Sequence, residues 1–112
     1  MPTTNPIDLH LDVGVVRAGH GIPSGLAEEL EAVVVHVSEA TGRVVDLTAS
    51  AGGEGDRRWI ELRCWLAGLA TVTTTGRGET VERALAAARR DLLRDVAALE
   101  PVLSGGPGRG SA

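Results

Sequence analysis

The sequence predicts an α+β two-layer sandwich, with two helices packed on one face of a four-stranded sheet in the order β-α-β-β-β-α. Two observations lead there. Residues 24–40 and 80–99 carry apolar side chains at a period of 3.6, which gives each helix one buried stripe. Four other segments alternate apolar and polar residues at a period of two, the pattern of strands half-buried in a sheet. Two amphipathic helices and a one-sided sheet pack most economically with the helices over the apolar face, leaving the other face open.

The first strand is expected over Ile7, Leu9, Leu11 and Val13, which alternate with Asp8, His10 and Asp12. Gly14 to Gly21 reads as a glycine-rich exit holding Arg17 and His20. Ser24 is suited to cap the first helix, whose stripe is Leu26, Leu30, Val33, Val34 and Val37, and Gly42 suits its left-handed stop. Val45, Leu47 and Ala49 predict the second strand, and AGGEGDRR at 51–58 reads as a turn-rich connection.

In the third strand Ile60, Leu62, Cys64 and Leu66 alternate with Trp59, Glu61, Arg63 and Trp65. Ala67-Gly68 suits a tight hairpin turn. Ala70, Val72 and Thr74 then alternate with Thr71, Thr73 and Thr75, β-branched residues that suit a pleated surface. Gly76-Arg77-Gly78 reads as the break before the second helix. That helix buries Val81, Leu85, Ala88, Leu92, Val96 and Leu99, and Pro101 closes it.

A length of 112 residues with 43% hydrophobic composition predicts one domain, over 7–103. Residues 1–6 and the Gly/Ser/Pro-rich 104–112 read as flexible tails, too polar to offset the entropy of ordering. No apolar run is long enough to span a membrane, and the start lacks the pattern of a secretory signal. A single cysteine, Cys64, excludes an internal disulfide and a multi-cysteine zinc site. A cytoplasmic protein without membrane contact is expected.

Charge is distributed unequally. The net charge is −4 and the chain has no lysine. Arg83, Arg90 and Arg94 fall opposite the apolar stripe of the second helix, with Arg89 on a flank, while the first helix turns Glu28, Glu31 and Glu39 to water. A basic helical ridge suits a polyanion. Arginine is also a good helix former, and Asp91 and Asp95 are near enough to pair with the ridge.

The element order, together with residues 58–99, resembles the ribosome hibernation-promoting factor family, also called ribosome-associated inhibitor or sigma-54 modulation proteins. The resemblance covers about residues 7–100 and is carried best by IELRCWLAGLATVTTTGRGETVERALAAARRDLLRDV at 60–96. Arg17 sits where the family often has a Gly-Arg pair, and glutamates replace the basic residues usual on the first helix, so the chain resembles a divergent acidic member. The resemblance implies a non-catalytic, ribosome-associated factor. It would promote hibernation or inhibit translation by binding ribosomal RNA of the small subunit, excluding tRNA or mRNA. Arg83, Arg89, Arg90 and Arg94 are the expected RNA contacts, with Arg17 and Arg77 as outer contacts.

The alternative is a protein-interaction or oligomerisation module of the same fold without nucleic-acid binding. Strand parity puts Trp59, Arg63 and Trp65 on the open sheet face, where they would form the interface of a homodimer. One tryptophan folded over the sheet edge as core is a close alternative, and base stacking on an exposed indole comes third.

Other constellations carry less. Asp8, His10 and Asp12 share a strand face but lack a clear fourth ligand, so no metal site is expected. Gly21-Ile22-Pro23-Ser24-Gly25 lacks the spacing of a nucleophile elbow, and His20 near Ser24 has no orienting carboxylate. Gly76-Arg77-Gly78 matches no phosphate-binding fingerprint, and Cys64 alternates with core residues. No catalysis and no cofactor are expected.

Overall fold

The structure, a computed structural model, describes residues 7–11, 14–19, 21–68 and 70–99. Its elements are β1 (Ile7–Leu11), β2 (Gly14–Ala18), α1 (Ala27–Thr41), β3 (Val45–Glu54), β4 (Arg57–Leu66), β5 (Ala70–Gly78) and α2 (Val81–Ala98). The fold is α+β, with both helices on one face of a mixed sheet. The β-α-β-β-β-α order is present from β2 onwards. Strand β2 runs parallel to β3, and β3, β4 and β5 are antiparallel neighbours.

Strand β1 adds a fifth strand, pairing antiparallel with β2 at the sheet edge, in the order β1-β2-β3-β4-β5. The segment expected as a glycine-rich exit is therefore a strand over Gly14–Ala18, and it is this strand that leads toward the first helix. Val16 and Ala18 alternate inward and are buried, while Arg17 points out. The expected first strand ends at Leu11; Asp12, Val13, His20 and both tails lie outside the described residues.

Side chains of β2 to β5 enter the core from one face. Val16, Leu47, Cys64 and Val72 lie in one cross-strand row, and Ala18, Ala49, Leu62 and Thr74 in the next. Leu30, Val33, Val34 and Val37 of α1, with Leu85, Ala88, Leu92 and Val96 of α2, close over them. Burying a leucine or valine side chain contributes about 1.5–3 kcal/mol, so these stripes are what fasten the helices.

Local chemistry sets the ends. Thr80 caps α2, its hydroxyl accepting from the Arg83 backbone N–H at 3.1 Å. Gly42 ends α1 in the left-handed conformation at φ 68°, donating to the Ser38 carbonyl at 2.7 Å. Ser24 makes no side-chain cap; Ser24–Leu26 is a 3-10 turn that leads into α1. The Arg43 guanidinium donates to the Ala67 carbonyl at 2.8 Å, tying the start of β3 to the β4–β5 turn.

Two glycine-rich stretches expected as turns are strand instead. Residues 51–54 continue β3 into a long hairpin that closes through Gly55-Asp56. Gly76-Arg77-Gly78 completes β5, and Gly76 is there because α2 needs its space. A Cβ on Gly76 would stand 2.1 Å from the Ala84 carbonyl oxygen and 2.4 Å from the Ala88 nitrogen. One residue pair earlier, the buried Thr74 hydroxyl donates to the Ala88 carbonyl at 3.0 Å. Helix and strand therefore meet almost backbone to backbone. No helix among the described residues is long and apolar enough to cross a membrane.

Gly76→Ala is expected to destabilise the domain by about 1–3 kcal/mol, the usual cost of overpacking. Gly25→Ala, where a Cβ meets nothing within 4 Å, serves as the control. Urea denaturation checks this: a large drop in midpoint for the first and a near-unchanged midpoint for the second.

Candidate nucleic-acid interface

The docking of α2 decides where its arginines point. With about 100° between successive residues, Arg83, Arg90 and Arg94 fall within about 40° of one another, diametrically opposite Leu92 and Ala88. All three are exposed, in a line about 16 Å long from Arg83 to Arg94. Each has a carboxylate nearby. Arg94 donates to Asp91 at 3.0 Å, Arg90 lies 3.8 Å from Asp91, and Arg83 lies 3.8 Å from Glu79. These pairs are solvent-exposed and each is worth at most about 1 kcal/mol, so they neutralise the ridge without locking it.

Arg89 stands apart from that line. It lines a shallow groove of about 140 Å³ between the helices, with Glu29 of α1 and Glu82, Leu85 and Ala86 of α2. The exposed side of α1 is acidic: Glu28, Glu31 and Glu39 surround Val35 and His36 on an open surface. The two helices thus present opposite charge.

Arg17 and Arg77 do not join the ridge. Both lie on the open face of the sheet, the side away from the helices, in β2 and β5. The six arginines expected to contact RNA are therefore divided between two faces. Trp59, Arg63 and Trp65 share the open face as parity predicts, with Trp65 46% exposed and Trp59 36%. The indoles sit six residues apart along β4, about 20 Å. Between them Arg63 approaches Glu61 at 3.8 Å, so the face is polar in its middle. Each indole has its own neighbours: Trp65 pairs across strands with Asp46 and Thr71, and Trp59 with Gly52 and Arg77.

Asp46 is used structurally, its carboxylate accepting from the Val15 backbone N–H at 3.2 Å. In register, Asp8 pairs with Arg17 and His10 with Val15 at the edge of the sheet. Among the described residues no group of three or more His, Cys, Asp or Glu is placed to hold a metal ion. Comparison of the chain with protein-family models, with curated proteins and with solved structures found no match.

Cys64 is fully buried on the helix side of β4. Loss of water pushes its thiol up from 9.0 to about 11, and the negative charge of Asp46 adds to the rise. A raised thiol favours the neutral form in the fold, so its contribution is complete below about pH 9 and lost as pH rises toward about 11. The chain has neither lysine nor tyrosine, so no other side chain titrates in that window. The urea midpoint is expected to hold steady up to about pH 9 and then fall, whereas Cys64→Val keeps a level midpoint across the same range.

Proposed function

We propose that this chain is a non-catalytic, ribosome-associated factor that holds ribosomal RNA of the small subunit along the solvent side of α2. It would favour hibernation or inhibit translation by occupying space that tRNA or mRNA otherwise takes. The observation that carries the reading is the line of Arg83, Arg90 and Arg94 on one rigid helix, pointing straight out from the core. The β-α-β-β-β-α order, which resembles the hibernation-factor arrangement, supports it from a second side.

Electrostatics gives the reading a definite form. A phosphate chain that meets the ridge releases condensed counterions, an entropic gain larger than the weak ion pairs it displaces. The glutamates of α1 repel the same chain, so among the two helices it approaches the α2 side. A net charge of −4 suppresses indiscriminate binding.

Changing Arg83, Arg90 and Arg94 together to glutamine is expected to leave folding within about 0.5 kcal/mol, because the three positions are exposed. Co-sedimentation with ribosomes falls, and the slope of log affinity against log salt becomes shallower by about 1 per lost contact. Undiminished co-sedimentation by the triple variant removes RNA binding through α2.

A second reading is favoured by Trp65, a large aromatic left 46% exposed on the open face. There the sheet meets another protein, a second copy included. Trp65→Ala then weakens self-association in sedimentation equilibrium with an unchanged circular dichroism spectrum. A wild type that stays monomeric at high concentration excludes the homodimer.

A further inference from the structure

One end of the open sheet face has a shaped cleft that the α2 ridge does not involve. It lies where the β3–β4 hairpin closes and β5 passes into α2, and its volume is about 410 Å³, within the range of small-molecule sites. It is lined by Trp59, three arginines (Arg57, Arg58 and Arg77), Gly78 and the carboxylates Asp56 and Glu79.

The indole is seated rather than loose. Gly52 pairs with Trp59 across β3 and β4, and a Cβ on Gly52 would stand 2.7 Å from Cζ2 and 2.9 Å from Cε2 of the ring. The ring therefore uses the space a side chain would fill and rests on strand backbone. Trp59 as a whole is 36% exposed.

The guanidinium groups differ in their commitments. Arg58 donates to the Gly55 carbonyl at 3.0 Å and to the Gly53 carbonyl at 3.1 Å, so it is held against the hairpin. Arg57 and Arg77 are exposed and have no ion-pair partner among the described residues. Arg77 is the register partner of Trp59 on β5, and Arg57 lies two residues before it on the same face of β4. Of the two lining carboxylates, Glu79 lies 3.8 Å from Arg83 and is partly neutralised there.

From this juxtaposition we infer that the cleft binds a nucleotide, its base stacked on Trp59 and its phosphate held by Arg57 and Arg77. A seated aromatic ring offers every base a π-face, and two guanidinium groups beside it suit the attached phosphate. The same chemistry is presented by a free mononucleotide and by one unit of a single-stranded RNA. The inference does not rest on the α2 ridge.

The test uses the full chain carrying Trp65→Phe, so that Trp59 is the sole indole, and follows its fluorescence. Adenosine, adenosine 5′-monophosphate and an oligoadenylate of about eight nucleotides, a length a small single-strand site accommodates, are titrated separately. Saturable quenching by the monophosphate and the oligonucleotide supports a site for free nucleotides; quenching by the oligonucleotide alone supports an RNA strand. In either case adenosine binds at least about fivefold more weakly. Arg57→Gln and Arg77→Gln each weaken the phosphate-bearing ligand severalfold and leave adenosine unchanged. Calorimetry on otherwise wild-type Trp59→Phe, with its fold checked by circular dichroism, shows weakened binding. The site is overturned by the absence of saturable binding at millimolar ligand, by equal affinity for adenosine and its phosphate, or by arginine variants that bind as the parent does.

Discussion

Gly76 has no side chain, and α2 occupies the space one would fill. The Ala84 carbonyl and the Ala88 nitrogen come too close to β5 for any Cβ there, and the Thr74 hydroxyl reaches up to the Ala88 carbonyl at 3.0 Å. Small residues on both partners permit this approach, and the bond to Ala88 fixes the helix in rotation as well as height. Once α2 is locked in this way, Leu85, Leu92 and Val96 must face the sheet. Arg83, Arg90 and Arg94 must then face water. The position of the ridge is a consequence of packing beneath it, not of anything the arginines do.

The same constraint separates the molecule into surfaces of different character. The helix layer shows a basic line on α2 beside an acidic face on α1, whereas the open side of the sheet mixes threonines, two separated indoles and arginines with nearby carboxylates. A surface ion pair such as Arg94–Asp91 contributes little to stability. It does, however, lower the net field of the ridge. On the proposed reading this is how an acidic chain would carry a site for RNA, and why the expected salt dependence distinguishes the ridge from a merely solvated helix.

Much of this was legible in the sequence, and the exceptions share a cause. Period 3.6 predicted both buried stripes, and period two placed Trp59, Arg63 and Trp65 on the open face and Cys64 in the core. What sequence reading missed were strands rich in glycine. Gly14–Ala18 presents only Val16 and Ala18 to the core, too few positions for alternation to stand out between flanking glycines. Gly52 and Gly76 look like breakers until their neighbours are known: the first lies under an indole and the second under a helix. A glycine that makes room for a distant residue carries no local signal of it. The division of the six arginines between two faces was missed for a related reason. Assigning Arg17 and Arg77 to strands requires knowing that those segments are strands.

The central claim is that the solvent side of α2 meets ribosomal RNA, and arginine accessibility tests it most directly. Phenylglyoxal modification of the full chain, free and bound to ribosomes, can be read residue by residue by mass spectrometry. Arg83, Arg90 and Arg94 are predicted to be modified readily in the free chain and protected on the ribosome, with Arg63 on the open face reacting alike in both states. Equal modification of the three α2 arginines with and without bound ribosomes would contradict the account.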